Sequence, residues 1–249
     1  MTLRLDETQI QAVLLDVEGT TTSIDFVYHT LFPYALRHVA DFVERHYGTD
    51  AFQDTLDQLR GEWEVDARQN ADCPSWPAES RQAEIESVIA YVHWLMDHDR
   101  KSTPLKSLQG KIWESGYQTG ELRGHVYPDV PAAFARWQQK GKTISIFSSG
   151  SVLAQKLLFA HTEAGDLTPF IRAYFDTTTG AKADPESYRK IADSLGHPVA
   201  AILFLSDSWV ELAAARVAGM PRALCVRPGN PTSGPHRHRV VRSFDEVFP

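Results

Sequence analysis

Apolar and polar positions along the chain change rhythm twice. The first ordered stretch is a short apolar run, QAVLLDV (11–17), with β-branched members, closed by Gly19 and three threonines. A run of that length bounded by turn residues predicts a buried strand ending in a loop. From Ile24 to Gly120 the period becomes helical. FVYHTLFPYALRHVADFVERHYG (26–48) repeats apolar residues at three- and four-residue steps and ends at Gly48. Pro33 either kinks this helix or marks its start. Residues 52–69 predict a polar amphipathic helix, DCPSWP (72–77) a loop, and 79–98 and 104–118 two further helices. After His125 strands and helices alternate. Helices are predicted over 131–140, 151–162, 184–196 and 209–219, and strands over 142–147, 171–176, 200–207 and 222–227. Pro185 falls in the first turn of its helix, a favoured place for proline.

That alternation implies an α/β fold with a doubly wound parallel sheet and right-handed crossovers. The first strand belongs to this core, so roughly a hundred helical residues interrupt it. A block of that length is no loop. The expected organisation is a core of residues 1–22 and 124–249 with an all-helical lobe, 23–123, inserted after the first strand. Ligands of open parallel sheets bind beyond the C-terminal strand ends, so an insertion there is placed to act as a lid.

Composition narrows the partners. With 43% hydrophobic and 23% charged residues the chain is ordinary for a globular protein, and 249 residues suit one core plus an insertion. A net charge of −7 argues against non-specific nucleic-acid or anionic-membrane binding. An anionic substrate stays open, because a bound cation inverts the local field. Cys73 and Cys225 show no ligand spacing and no pairing framework, which fits a reduced, cytoplasmic setting. The opening MTLRLDETQIQAVLLDVEG reads as neither signal peptide nor membrane span. Nothing marks an oligomer seam, so a monomer acting on a small molecule is expected.

The strand ends carry the chemistry. Strand one runs into Asp16-Val17-Glu18-Gly19-Thr20. The 142–147 strand runs into Ser148-Ser149-Gly150-Ser151. The loop after Asp176 holds Lys182, and the 200–207 strand ends in Ser206-Asp207 with Glu211 four residues on. These residues meet the needs of phosphoryl transfer. A carboxylate nucleophile, Asp16, divides hydrolysis into two steps through an aspartyl-phosphate. Mg²⁺ held by Asp16 and Asp207 offsets carboxylate–phosphate repulsion. Ser148, Ser149 and the backbone N–H groups opening the next helix hold phosphoryl oxygens. Lys182 adds positive charge, and Glu18 serves as general acid. Singly, each has a plainer reading. Asp16 is a turn or helix cap, Asp207 an N-cap, Lys182 a surface lysine, and Glu211 a favourable charge in a first helical turn. Their shared order along one sheet edge favours the chemical reading.

Taken together, Asp16-Val17-Glu18-Gly19-Thr20, Ser148-Ser149, Lys182 and Ser206-Asp207-Ser208-Trp209-Val210-Glu211 resemble the four ordered motifs of the haloacid dehalogenase-like superfamily. The commoner pattern has Asp where Glu18 stands and two aspartates where Asp207 and Glu211 stand. DVEGTTTSIDFV (16–27), SSGSVLAQKLLFAHT (148–162), ESYRKIADSLG (186–196) and VRPGN (226–230) resemble one branch, the acireductone synthases, which are the enolase-phosphatases of methionine salvage. The resemblance implies a Rossmann-like core with a helical cap. It implies enolisation and then dephosphorylation of 2,3-diketo-5-methylthiopentyl-1-phosphate to the acireductone. It also implies one Mg²⁺ per subunit on Asp16, Glu18 and Asp207, with substrate on Ser148, Ser149 and Lys182. Glu18 ligates through its side chain or its backbone carbonyl, and the enolisation base is open, Glu18 being one candidate.

Two alternatives stand beside this: a monofunctional Mg-dependent phosphatase of the same superfamily, and a phosphoacceptor module of the receiver type. The long helical insertion and a nucleophile on the first strand argue against the second. Phe26 and Tyr28 are candidates for an apolar tail pocket or are plain packing. His236 and His238 read as a solvated basic stretch, and His93 and His98 as surface or packed residues.

Overall fold

The computed structural model describes residues 7–70, 72–230 and 239–249. Six parallel strands form one sheet in the order β3-β2-β1-β4-β5-β6. They are β1 Ala12–Leu15, β2 Thr143–Phe147, β3 Ile171–Phe175, β4 Ile202–Ser206, β5 Arg222–Cys225 and β6 Val240–Val241. The central strands are apolar on both faces. Ala12, Val13, Leu14 and Leu15 are all fully buried, as are Ile202, Phe204 and Leu205. Strands covered on both sides read as unbroken apolar runs, which is why β1 and β4 are legible as AVLL and ILFL. Each expected core strand forms, shortened at its ends. Residues 200 and 201, expected to open a strand, fall instead in the 3-10 turn Val199–Ala201 before β4, and no strand was expected at β6.

The chain divides into two compact units. One contains the chain up to Tyr28 and from Leu122 onward; the other is His29–Glu121. These boundaries lie a few residues inside the 23–123 block expected from sequence. In the first unit the helices are a single turn, α1 (Ile24–Phe26), then α6 (Val130–Gln139), α7 (Val152–Ala160), α8 (Pro185–Leu195) and α9 (Trp209–Ala218). Their ends follow local chemistry. Ser151 caps α7 and Ser208 caps α9 by accepting backbone N–H bonds. Gly196 and Gly219 close α8 and α9 with φ of 70° and 91°, a conformation glycine adopts without strain.

The second unit is helical: α2 (Phe32–His46), α3 (Asp50–Gln69), α4 (Arg81–Asp97) and α5 (Thr103–Thr119). Pro33 marks the start of α2 and does not kink it, because a π-helical turn (Val27–Leu31) precedes it and its missing N–H falls in the first turn. Buried Asp66 accepts from Tyr91 Oη (2.8 Å) and from Arg100 (2.7 Å), so this interior charge is paired. His98 bridges the Trp94 carbonyl (2.8 Å) and the Asp72 carboxylate (2.9 Å), and His93 is half-buried on α4. His236 and His238 lie outside the described residues. Among the described residues no helix is long and apolar enough to cross a membrane, and Cys73 and Cys225 are free thiols.

Candidate active site

The order of strands places a switch point beside β1. Connections run from β1 outward to β2 and β3, then return to β4 on the other side of β1. Crevices at such a point, past the C-terminal strand ends, are where α/β sheets bind ligands. Asp16 stands there, its N–H bonded to the Leu205 carbonyl at 3.0 Å, and Asp207 follows the end of β4.

Asp16 is 3% exposed, and its carboxylate is fully engaged. Lys182 Nζ pairs with Oδ1. Thr20 Oγ1 donates to Oδ2 at 3.2 Å and Ser206 Oγ approaches the same oxygen at 3.4 Å. This is not a helix cap. Asp207 does not cap α9 either, since Ser208 does so and leaves the Asp207 carboxyl free of that duty. Lys182, only 9% exposed, lies between Asp16 and Glu211, whose Oε2 is 2.9 Å away. Tyr188 Oη donates to the Lys182 carbonyl at 2.7 Å, which fixes the loop that carries it. Glu211 thus reaches the site from the first turn of α9, and Ser206 Oγ holds the same oxygen at 2.9 Å.

Ser148 Oγ is buried, accepts from the Gly150 N–H at 3.0 Å and donates to Glu18 Oε2 at 3.3 Å. Ser149 is exposed beside it. Glu18 reaches this position by a route other than the expected extended geometry. The chain leaves the strand after Leu15 and turns tightly, with the Val17 carbonyl accepting from the N–H groups of Thr20, Thr21 and Thr22. Gly19 makes the turn possible at φ 73°; a Cβ there would overlap Oδ2 of Asp207 and come 2.5 Å from Nδ2 of Asn230.

Four carboxylates and one ammonium share this space, and the balance shows in their proton affinities. Burial, then the neighbouring Asp16 charge, pushes the Asp207 and Glu211 carboxyls up to about 7. The same two causes raise Glu18 above the usual carboxylate range. Burial alone would lower Lys182, but the carboxylates of Asp16, Glu211 and Glu18 outweigh it and hold the ammonium protonated.

All six residues singled out from sequence therefore sit at one sheet edge. Phe26 is buried with its ring 5.9 Å from that of His125, while Tyr28 is 57% exposed. The sequence reading gave no role to Thr20, Ser206, Arg227 or Asn230. Their signal was membership in the DVEGT, SDSWVE and VRPGN blocks, whose tertiary proximity no local pattern encodes. Thr22 Oγ1 also meets His125 Nδ1 at 2.9 Å, a link between segments a hundred residues apart.

A haloacid dehalogenase-like hydrolase family model matches residues 10–219. Enolase-phosphatase E1 of Synechococcus elongatus is 50% identical over 238 residues, covering 96% of this chain and 98% of the relative. Enolase-phosphatase E1 of Sorangium cellulosum is 44% identical over 242 residues, covering 96% and 97%. The crystal structure of the Saccharomyces cerevisiae UTR4 protein superposes with a TM-score of 0.77 at 32% identity, over 96% of this chain and all of that one. With identities of 44–50% to such curated relatives over nearly their full length, the chain belongs to the enolase-phosphatase E1 family of haloacid dehalogenase-like hydrolases.

Proposed function

We propose that this chain converts 2,3-diketo-5-methylthiopentyl-1-phosphate to the acireductone, enolising it and then transferring its phosphoryl group to Asp16. The observation that carries the reading is the pairing of Asp16, gripped by a buried lysine, with a second carboxyl of raised proton affinity, Glu18, beside it. A nucleophile and an acid in neighbouring but different environments are what a phosphomonoester requires.

The cofactor of this reading is one Mg²⁺. Among the described residues no three His, Cys, Asp or Glu side chains converge as a metal set. Magnesium does not need three: it binds through one or two carboxylates and keeps several waters. The residues fit it. Their donors are hard oxygens, the Asp16, Glu18, Asp207 and Glu211 carboxyls outnumber the Lys182 ammonium, and glycine at 19 lets the Asp207 carboxylate lie where a side chain would otherwise stand. Asp16 and Asp207 would hold the ion through side chains and Glu18 through its carbonyl. When bound, Mg²⁺ supplies positive charge against the developing enolate and the phosphoryl oxygens.

The protein's own groups do the rest. Glu18 takes the C–H proton as the enolate forms. Its carboxyl then gives that proton to the ester oxygen as Asp16 attacks phosphorus and the C–O–P linkage breaks at phosphorus. Ser148, Ser149 and Lys182 hold the phosphoryl oxygens. Ionised Glu18 draws a proton from the water that opens the aspartyl-phosphate and passes it to the enolate oxygen, which completes the enediol and restores the carboxylate. The helical insert is the cap of this reading. The test is anaerobic incubation with the diketone phosphate and Mg²⁺, following enediol absorbance and free phosphate together. Equal yields of both support the reading. Phosphate without enediol demotes the chain to a monofunctional phosphatase, and neither product refutes the assignment.

A further inference from the structure

The loop after β5 reaches back to the turn that follows Asp16. Arg227 Nε donates to the Thr20 carbonyl at 2.9 Å, and Asn230 Nδ2 donates to the Gly19 carbonyl at 3.0 Å. Arg227 is itself immobilised. It is 4% exposed, its guanidinium lies over the rings of Tyr127 (4.6 Å) and Phe244 (4.3 Å), and Nη1 pairs with Asp129 at 2.6 Å. A desolvated, stacked and ion-paired arginine is a rigid strut.

The backbone of the turn makes sense of this. Val17 O accepts from three N–H groups, Gly19 O from Asn230, Thr20 O from Arg227, Thr21 O from the Tyr127 N–H at 2.9 Å and Thr22 O from the Gly19 N–H at 2.8 Å. The Glu18 carbonyl is the exception: it receives no hydrogen bond among the described residues. Peptide planes on both sides of it are fixed by these bonds. Asn230 also stands close to the Asp207 carboxylate, since both crowd the point where a Gly19 side chain would be.

We propose that Asn230 and Arg227 are positioning residues, a clamp from the β5 loop that aims the Glu18 carbonyl and seats Asp16 by holding the two carbonyls that follow. The clamp rests on the reading of Asp16, Glu18 and Asp207 as the cation site. It requires no contact between Asn230 and substrate, so its loss acts on cation affinity and turnover and spares substrate binding.

Asn230→Ala in the full chain tests it. Three quantities are measured: Mg²⁺ affinity of the substrate-free protein by titration calorimetry, the thermal midpoint, and kcat and KM for phosphate release. Loss of one net hydrogen bond predicts Mg²⁺ affinity weakened about 3- to 10-fold and kcat lowered by a similar factor. KM stays within about twofold and the midpoint within about 3 °C. A folded variant with unchanged affinity and kcat overturns the clamp, as does one that loses only thermal stability. If the alanine variant does not fold, Asn230→Leu, of similar volume and without a donor, is held to the same criteria. Wild-type protein that fails to bind Mg²⁺ overturns the cation site along with the clamp. Wild-type protein that binds Mg²⁺ but forms no enediol overturns the functional reading and leaves the clamp standing.

Discussion

Replacing Lys182 with methionine probes the centre of the site while keeping most of the side-chain volume. Lys182 is 9% exposed and its ammonium pairs with the carboxylates of both Asp16 and Glu211. Removing one partner of a buried ion pair destabilises a protein by about 3–5 kcal/mol, because the other charge is left without compensation. In a chain of this size each kcal/mol moves the midpoint by about 2–4 °C, so the metal-free variant should melt on the order of 10 °C below wild type at pH 8. The deficit has a pH signature. The folded-state Glu211 carboxyl sits at about 7 with Lys182 present, and Lys182 is one of the influences lowering it. Without that influence it rises further. A carboxyl raised on folding contributes stability that is present below its unfolded value, near 4.3, and lost as pH rises through the folded value. At pH 5.5 the variant can therefore neutralise Glu211 by taking up a proton, and the deficit shrinks; at pH 8 a smaller fraction is protonated and more of the deficit remains. Circular dichroism melts of both proteins in chelator, from pH 5.5 to 8, measure this directly. Equal deficits at both ends of the range, or no deficit, would refute the buried-lysine reasoning. Phosphate release by the same variant should fall at least 100-fold, the scale of losing one preorganised charge at a phosphoryl-transfer site.

Three further outcomes follow from the same geometry. Asp16→Asn should abolish phosphate release with a circular dichroism spectrum like wild type; retained turnover would sink the covalent step. Gly19→Ala forces a Cβ onto the Asp207 carboxylate at a positive φ, so its Mg²⁺ affinity should drop more than 10-fold and its stability by about 1–2 kcal/mol, read by calorimetry and denaturant melts. Metal-free wild type should lose stability as pH rises from about 4.5 through 7, because Asp207 and Glu211 are both raised on folding, and added Mg²⁺ should restore it most at high pH. A metal-free melting point that climbs over that range would contradict the crowded-carboxylate picture.

Local pattern along the chain dictates the elements and their order. β1 and β4 are unbroken apolar runs because both faces of a parallel sheet are covered, and α8 and α9 are bracketed by Asp184 or Ser208 before and glycine after. It also singled out Asp16, Glu18, Ser148, Ser149, Lys182 and Asp207, since each lies where a strand runs into a loop. What it left open was which of their duller readings held. Whether Asp207 caps α9 is decided by Ser208 taking that place, and whether Lys182 is a surface lysine by its burial against Asp16, 166 positions away. The two-residue strand β6 was invisible because so short a pairing has no period of its own. The reach of Arg227 and Asn230 onto the Asp16 turn was invisible for a different reason. It depends on β5 lying two strands from β1 in the sheet, a consequence of the switch in strand order beside β1. Local periodicity encodes which face of an element is buried; which strand ends meet, and therefore which charges must share one buried space, is settled only when the sheet closes its order.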